Sequence, residues 1–349
     1  MTTPATILVT GGTGFLAARC ILQALEQGYR VKTSLRSLSR QQEVLQTLQA
    51  HGVPSLDQLS FVEADLRRDA HWDEAVAGCT YVLHVAAPIF FTPPKDEREQ
   101  IELTVEGMLR VLRAAREAGV QRVVLTSSFG AVGFSRHDSR TPTTEADWTD
   151  PDLPGLSTYE KAKGLAERVA WQFIEQQGRG LELSVINPVA ILGPALSEHV
   201  SGSFDMLRHL LDGSLKAVPN IALNVVDVRD VADLHLRAMT SPAAKGQRFI
   251  AAADGQISML EIAQLLREEF PQAAAKVATR QLPNWVLHVA ALFNPQARTA
   301  AMFLQVSRHV STAHAQRLLG WQPASTSREA VRAAMRSLLH YHLASVVPA

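Results

Sequence analysis

Tyr159 and Lys163 stand four residues apart in Tyr159-Glu160-Lys161-Ala162-Lys163. The surrounding pattern predicts a helix over 157–177, and on a helix that spacing puts both side chains on one face. An unperturbed phenol has a pKa of about 10. A neighbouring ammonium favours the phenolate and lowers that value, making Tyr159 a usable acid or base near neutral pH. Lys161, two positions away, points elsewhere. Upstream, Thr126-Ser127-Ser128-Phe129 ends a predicted strand. A serine hydroxyl there could hydrogen-bond a substrate oxygen, although the pair taken alone also reads as a cap or turn.

A second signature lies near the amino end. Ile7-Leu8-Val9-Thr10-Gly11-Gly12-Thr13-Gly14-Phe15-Leu16-Ala17 reads as a strand, a Gly-rich turn and a helix start. Gly11 and Gly14 permit a tight turn and a close approach of backbone to a pyrophosphate. Ala17 allows close helix–sheet packing, and the helix N-terminus offers N–H groups and a positive dipole end. The spacing is G-x-x-G-x-x-A, and its position at the first strand–helix junction separates it from an ordinary turn. Enzymes using NAD place Asp or Glu near the end of the second strand for the ribose hydroxyls. Val31-Lys32-Thr33-Ser34-Leu35-Arg36 has no acid there. Arg36, helped by Arg40, suits a 2′-phosphate instead, which favours NADPH. Asp65-Leu66, after the third strand, would flank the adenine.

These groups need a frame, and the first half of the chain supplies one. Apolar runs predict strands over 6–9, 29–35, 59–63, 81–85 and 122–126. Helical spacing predicts helices over 17–27, 40–51, 71–77 and 101–118. Such alternation implies an α/β fold with a parallel sheet and helices on both faces. A polar stretch over 135–155 reads as a long loop, followed by the 157–177 helix and a strand over 182–186. Beyond Pro194, short helices over 203–211 and 259–269 mix with isolated strands such as 248–252, and this part reads as a smaller, substrate-covering domain. The helix over 329–342 has Leu and Met at helical spacing and reads as an amphipathic cover on the body.

Composition narrows the function. The 349 residues are 46% apolar and 19% charged, which provides a sizeable core. Thirty-four Lys plus Arg balance 34 Asp plus Glu, so a general electrostatic grip on nucleic acid or an anionic membrane is not expected. Cys20 and Cys79 are too few for a disulfide framework or a thiolate zinc site. The twelve histidines are scattered, and His340 and His342 would face different sides of a helix, so no metal is expected. The start shows no secretory signal. The apolar runs over 82–91 and 285–293 are about half the ~20 residues of a spanning helix. These features fit a cytoplasmic chain.

In combination the motifs resemble the extended short-chain dehydrogenases/reductases. The set is Thr10-Gly11-Gly12-Thr13-Gly14-Phe15-Leu16-Ala17, Asp65-Leu66, His84-Val85-Ala86-Ala87-Pro88, Thr126-Ser127-Ser128, Tyr159 with Lys163, and Asn187-Pro188 with Gly193-Pro194. Val226-Asp227-Val228-Arg229-Asp230-Val231-Ala232 and Leu319-Gly320-Trp321-Gln322-Pro323 extend the likeness over nearly the whole chain. Asn187-Pro188 and the strand-end Arg36 point to the dihydroflavonol reductase group, which includes cinnamoyl-CoA, methylglyoxal and aldehyde reductases. One departure is Glu106, where an Asn is frequent.

That resemblance implies a Rossmann-type, doubly wound parallel sheet with a smaller, mixed carboxyl-terminal substrate domain. Residues 1–190, with 223–242 returning to them, would bind NADP; 191–222 and 243–349 would bind substrate. It implies that Tyr159 protonates a carbonyl oxygen as NADPH gives up hydride. Lys163 would hold the nicotinamide ribose, and Ser128, or failing it Ser127, the substrate oxygen. The implied cofactor lining is Gly11, Thr13, Gly14, Phe15, Leu16, Arg36, Arg40, Asp65, Leu66, Val85, Ala86, Ala87, Thr126, Pro188 and Val189. An apolar pocket for an aryl or alkyl aldehyde or ketone would draw on Phe90, Phe91, Phe134 and Met206, each of which is otherwise core. The expected activity is NADPH-dependent carbonyl reduction by a monomer or homodimer. The rivals are a sugar-nucleotide epimerase or dehydratase that retains its nicotinamide, and a non-catalytic NADPH-sensing regulator.

Overall fold

The computed structural model describes residues 4–53, 55–88 and 96–344. In its first half, β1 (Thr6–Thr10), β2 (Arg30–Leu35), β3 (Leu59–Glu63), β4 (Tyr81–His84), β5 (Arg122–Thr126) and β6 (Glu182–Pro188) alternate with helices. These are α1 (Phe15–Glu26), α2 (Gln41–Ala50), α3 (Trp72–Val76), α4 (Glu97–Glu117) and α5 (Thr158–Gln177). There follow β7 (Ala190–Leu192), α6 (Phe204–Leu211), β8 (Val218–Pro219), β9 (Ala222–Leu223), β10 (Val225–Asp227), α7 (Val228–Thr240) and β11 (Arg248–Ala251). The chain ends with β12 (Ile257–Ser258), α8 (Met259–Glu269), β13 (Gln281–Leu282), α9 (Asn284–Ala290), α10 (Pro295–Phe303), α11 (Ala313–Leu319) and α12 (Ser327–His340).

Seven strands form one parallel sheet in the order β11-β6-β5-β4-β1-β2-β3. The strand order reverses between β1 and β4, where open α/β sheets take their ligands at the carboxyl edge. Both faces of the sheet are covered. Ile7 and Val9 pack with α1 and α7 on one side, while Leu8, between them, packs with α4 and α5 on the other. This two-sided burial explains why β1 reads as a continuous apolar run.

One strand corrects the sequence reading. Residues 248–252, taken as an isolated strand of the second unit, contribute β11, which pairs with β6 in the register Arg248↔Val185 to Ala251↔Pro188. The stretch 243–349 therefore gives a strand to the main sheet and is not wholly a separate unit. Phe249, Ile250 and Ala251 are fully buried, but four residues so far along the chain carry no local sign of a parallel partner.

The remaining strands pair with one another in three two-stranded ladders apart from the main sheet: β10 with β7, β12 with β9 and β13 with β8. Two family signatures meet there. Asp230 accepts the backbone N–H groups of Ala324 and Ser325, and the Trp321 indole donates to the Asp230 carbonyl. Ala330, Val331, Ala334, Met335 and Leu338 bury one face of α12, as its apolar spacing requires. Among the described residues no helix is long and apolar enough to cross a membrane.

Candidate active site

The Gly-rich turn joins β1 to α1 at the point where strand order reverses. Gly11 adopts φ +76, and its N–H and that of Gly12 donate to the Ser34 carbonyl on β2. A Cβ on Gly11 would come within 2.9 Å of Ala86 Cβ, and one on Gly12 within 2.4 Å of Thr33 Oγ1. Gly12, not singled out from sequence, is thus fixed by the packing of β1 on β2. The Thr10 hydroxyl accepts the N–H groups of Val85 and Ala86 and faces His84 Nδ1 at 3.0 Å, tying the turn to the end of β4. No side chain caps α1 at Gly14. This uncapped N-terminus beside a left-handed glycine fits a dinucleotide pyrophosphate. The side chains of Phe15 and Leu16 are buried, Phe15 edge-on to Phe204 at 5.2 Å.

At the end of β2, Arg36 is exposed and makes no ion pair among the described residues. Ser37 and Ser39 follow it, their hydroxyls 2.8 Å apart; neither was singled out from sequence. Arg40, expected to help Arg36, is instead held by Glu43 and lies 2.7 Å from His199 Nε2. Asp65 stands two residues past the end of β3. The Arg67 guanidinium, bonded to both its carboxylate oxygens, holds it below its usual pKa.

The chemical groups collect along β5 and α5. Lys163 is buried, and its Nζ donates to the Thr126 carbonyl at 3.0 Å. Burial pushes its pKa down to about 8, against the pull of Glu167. Lys163 and Thr126 line one cavity with Leu66, His84, Ala86, Ala87 and Thr104. Thr104, not Glu106, is the residue of that α4 turn that faces the cavity; Glu106 reaches Arg113 at the surface. Ser128 Oγ accepts the Gly130 N–H at 3.1 Å, leaving its own proton to donate outward. Ser127 differs: its hydroxyl is buried and donates to Glu167 Oε2 at 2.5 Å.

Tyr159, in the first turn of α5, is 49% exposed and is not part of the cavity that Lys163 lines. Burial, and then Glu160, push its phenol up to about 12. The shift is upward, and the neighbouring Glu160 adds to it. It reverses the depressed phenol expected from sequence, because the Lys163 amine is turned to the Thr126 carbonyl.

The remaining candidates divide. Val189 N–H bonds the Ala251 carbonyl, fixing the turn after Pro188 at the sheet's edge. Phe134 is buried edge-on between Phe129 and Phe303, at 6.0 and 5.2 Å. Met206 is half-buried against the main core. Thr13 is half-buried in the Gly-rich turn. Phe90 and Phe91 lie outside the described residues.

The fold, with an uncapped helix at the switch point and a Tyr-Lys pair beside the central strands, defines a nicotinamide-nucleotide type of site. Residues 7–252 match the NAD dependent epimerase/dehydratase family, and the chain belongs to that family. It is 32% identical over 290 residues to a putative NADPH-dependent methylglyoxal reductase of Candida albicans, covering 78% of this chain and 85% of that one. It is 34% identical over 270 residues to cinnamoyl-CoA reductase 1 of Petunia hybrida, covering 76% and 78%. Among solved structures, Gre2 of Candida albicans in complex with NADPH superimposes with a TM-score of 0.79 at 24% identity, covering 97% of this chain and all of that one.

Proposed function

We propose that this protein is an NADPH-dependent reductase that converts aldehydes or ketones, aryl or alkyl, to alcohols. One observation carries the reading: Lys163, one turn of α5 after Tyr159, bonds the Thr126 carbonyl at the carboxyl end of β5, two residues before Ser128. The 2′-phosphate preference is supported by an acid-free end of β2 followed by the exposed Arg36, which makes no ion pair among the described residues. The names of the relatives, a methylglyoxal reductase and a cinnamoyl-CoA reductase, favour a carbonyl substrate.

NADPH, when bound, supplies the hydride. The uncapped start of α1 and the Gly11–Gly14 turn would hold its pyrophosphate, Arg36 its 2′-phosphate and Lys163 its nicotinamide ribose. Ser128 donates its hydroxyl proton to the substrate oxygen as a hydrogen bond and orients it. Tyr159 delivers the proton that this oxygen gains. Its raised pKa keeps the phenol protonated at neutral pH, the form a proton donor needs. Lys163 is mostly protonated at pH 7, and an ammonium is a donor of the kind that the ribose hydroxyls would accept.

The sugar-nucleotide reading is less well supported. The arginines that might grip a diphosphate, Arg208, Arg229 and Arg237, are each paired with an aspartate: Asp205, Asp227 and Asp233. NADPH consumption against aldehydes, ketones, CoA thioesters and sugar nucleotides tests the proposal. Net oxidation of NADPH with aldehydes or ketones is expected. Turnover of a sugar nucleotide without net oxidation would replace this reading with the epimerase one.

A further inference from the structure

Behind Ser128 and Lys163 lies a buried polar cluster that the proposed chemistry does not use. Glu167 follows Lys163 by one turn of α5, and its carboxylate is fully enclosed. Four donors converge on it, from β6, β11, α5 and the residue just after β5. Oε2 accepts the Ser127 hydroxyl at 2.5 Å and Asn187 Nδ2 at 2.7 Å; Oε1 accepts Arg248 Nε at 2.6 Å and the Trp171 indole at 3.4 Å. Arg248, on β11, stacks over the Trp148 ring at 3.6 Å and donates to the carbonyls of Glu145 and Asp147.

The cluster pins three consecutive residues. Lys163 holds the Thr126 carbonyl, Glu167 holds the Ser127 hydroxyl, and Asn187 Nδ2, while bonded to Glu167, also reaches the Ser128 carbonyl at 3.2 Å. We propose that Glu167 is a positioning residue for carbonyl reduction: its carboxylate, anchored by Arg248, fixes the Thr126–Ser128 segment from which Ser128 meets the substrate oxygen. This rests on the reductase reading. A buried ion pair adds little net stability compared with apolar packing, but a carboxylate that gathers donors from β6, β11, α5 and the residue after β5 sets their relative placement. No neutral amide can replace it without conflict. Trp171 and Asn187 Nδ2 are donors only, as is Arg248, and a glutamine must present its own N–H groups to one side of the cluster. A displacement of about 1 Å in such a support can cost on the order of 100-fold in rate.

The test combines Glu167→Gln and Ser127→Ala with two readouts. The first is backbone amide exchange in the unliganded protein. Reporters lie in the segment itself: the Ser127 N–H bonds the Ile186 carbonyl, the Gly130 N–H bonds Ser128 Oγ, and the Ala131 N–H bonds the Ser128 carbonyl. The second is steady-state reduction. Glu167→Gln is expected to speed exchange over Ser127–Ala131 by about tenfold or more while β1 and α1 stay protected. It should lower kcat by about 10- to 100-fold with the KM for NADPH close to wild type. Ser127→Ala, which removes one of the four donors, should show the same pattern more weakly and decides the matter if Glu167→Gln does not fold. Unchanged exchange in the segment, a uniform loosening of the whole sheet, or an unchanged kcat would each overturn the inference. A wild-type protein that reduces no carbonyl would instead remove the reductase reading, while the exchange measurement would still decide whether Glu167 holds the segment.

Discussion

Tyr159 and Lys163 are joined by sequence spacing and separated by what each contacts. The amine is committed to the Thr126 carbonyl, while the phenol feels Glu160 beside it. Burial also holds the Glu160 carboxyl above its usual range, and one of its oxygens is buried with no hydrogen-bond partner among the described residues. Glu160→Gln removes a group that raises the phenol, so the Tyr159 pKa should fall. Reduction needs the protonated phenol, so activity is lost as pH rises through that pKa. The alkaline limb of the pH–rate profile should therefore move down by on the order of 0.5 pH unit, and an unmoved or raised limb would remove Glu160 from the account. At the other end of the cleft, Arg36→Asp should raise the KM for NADPH by on the order of tenfold or more with little change for NADH. Equal losses with both would exclude a 2′-phosphate contact.

At the scale of elements, α5 carries the site. Tyr159, Lys163 and Glu167 are spaced four apart along it, and Ser157 caps its start by accepting the Glu160 N–H at 3.4 Å. Ser157→Ala should cost about 1 kcal/mol or less and fray the turn bearing Tyr159 more than the one bearing Lys163. Turnover should fall several-fold with NADPH affinity unchanged; equal losses in both would show that the cap supports the helix as a whole. The Tyr159–Lys163 spacing was legible because residues of special chemistry repeat at a helical interval. Glu167, next in the same series, was not, since an acid on a helix reads as a solvated face until Arg248 is brought against it. That approach needs β11 beside β6, a pairing between segments some sixty positions apart. Local patterns placed β3, β5 and α8 correctly. The start of α4 was read four residues late, because its first turn is polar and announced only by the Asp96 cap. The packing of Phe134 was not legible for a related reason: an aromatic residue after a strand looks the same in sequence whether it lines a cleft or packs edge-on against another ring, as Phe134 does against Phe303.

Across the whole molecule, two buried histidines couple the sheet to pH. Burial, with Lys163 adding to it, pushes His84 down to about 3, and burial pushes His235 down to about 4. Each bridges to a threonine at a strand end, His84 to Thr10 and His235 to Thr126. Both folded-state values lie below the unfolded value of about 6.5, so the unfolded chain binds more protons between pH 6.5 and the folded values. Their stabilisation is therefore complete above pH 6.5 and is lost as pH falls through that window. Denaturant unfolding should show a loss of about 1 kcal/mol per histidine between pH 6.5 and 5.5. His235→Gln should remove about half of that slope; a slope unaffected by replacing both residues would assign the pH dependence to other groups.

The most direct measurement for the reductase reading is NADPH oxidation by Tyr159→Phe with an aldehyde that the wild type reduces, alongside NADPH binding to the same variant. The substitution removes one hydroxyl from a half-exposed ring and leaves Lys163, Ser128 and the Gly-rich turn in place. Turnover should fall by about 10²–10⁴-fold while the Kd for NADPH stays near the wild-type value. Near-normal turnover would mean that another group supplies the proton and would contradict the role given to Tyr159.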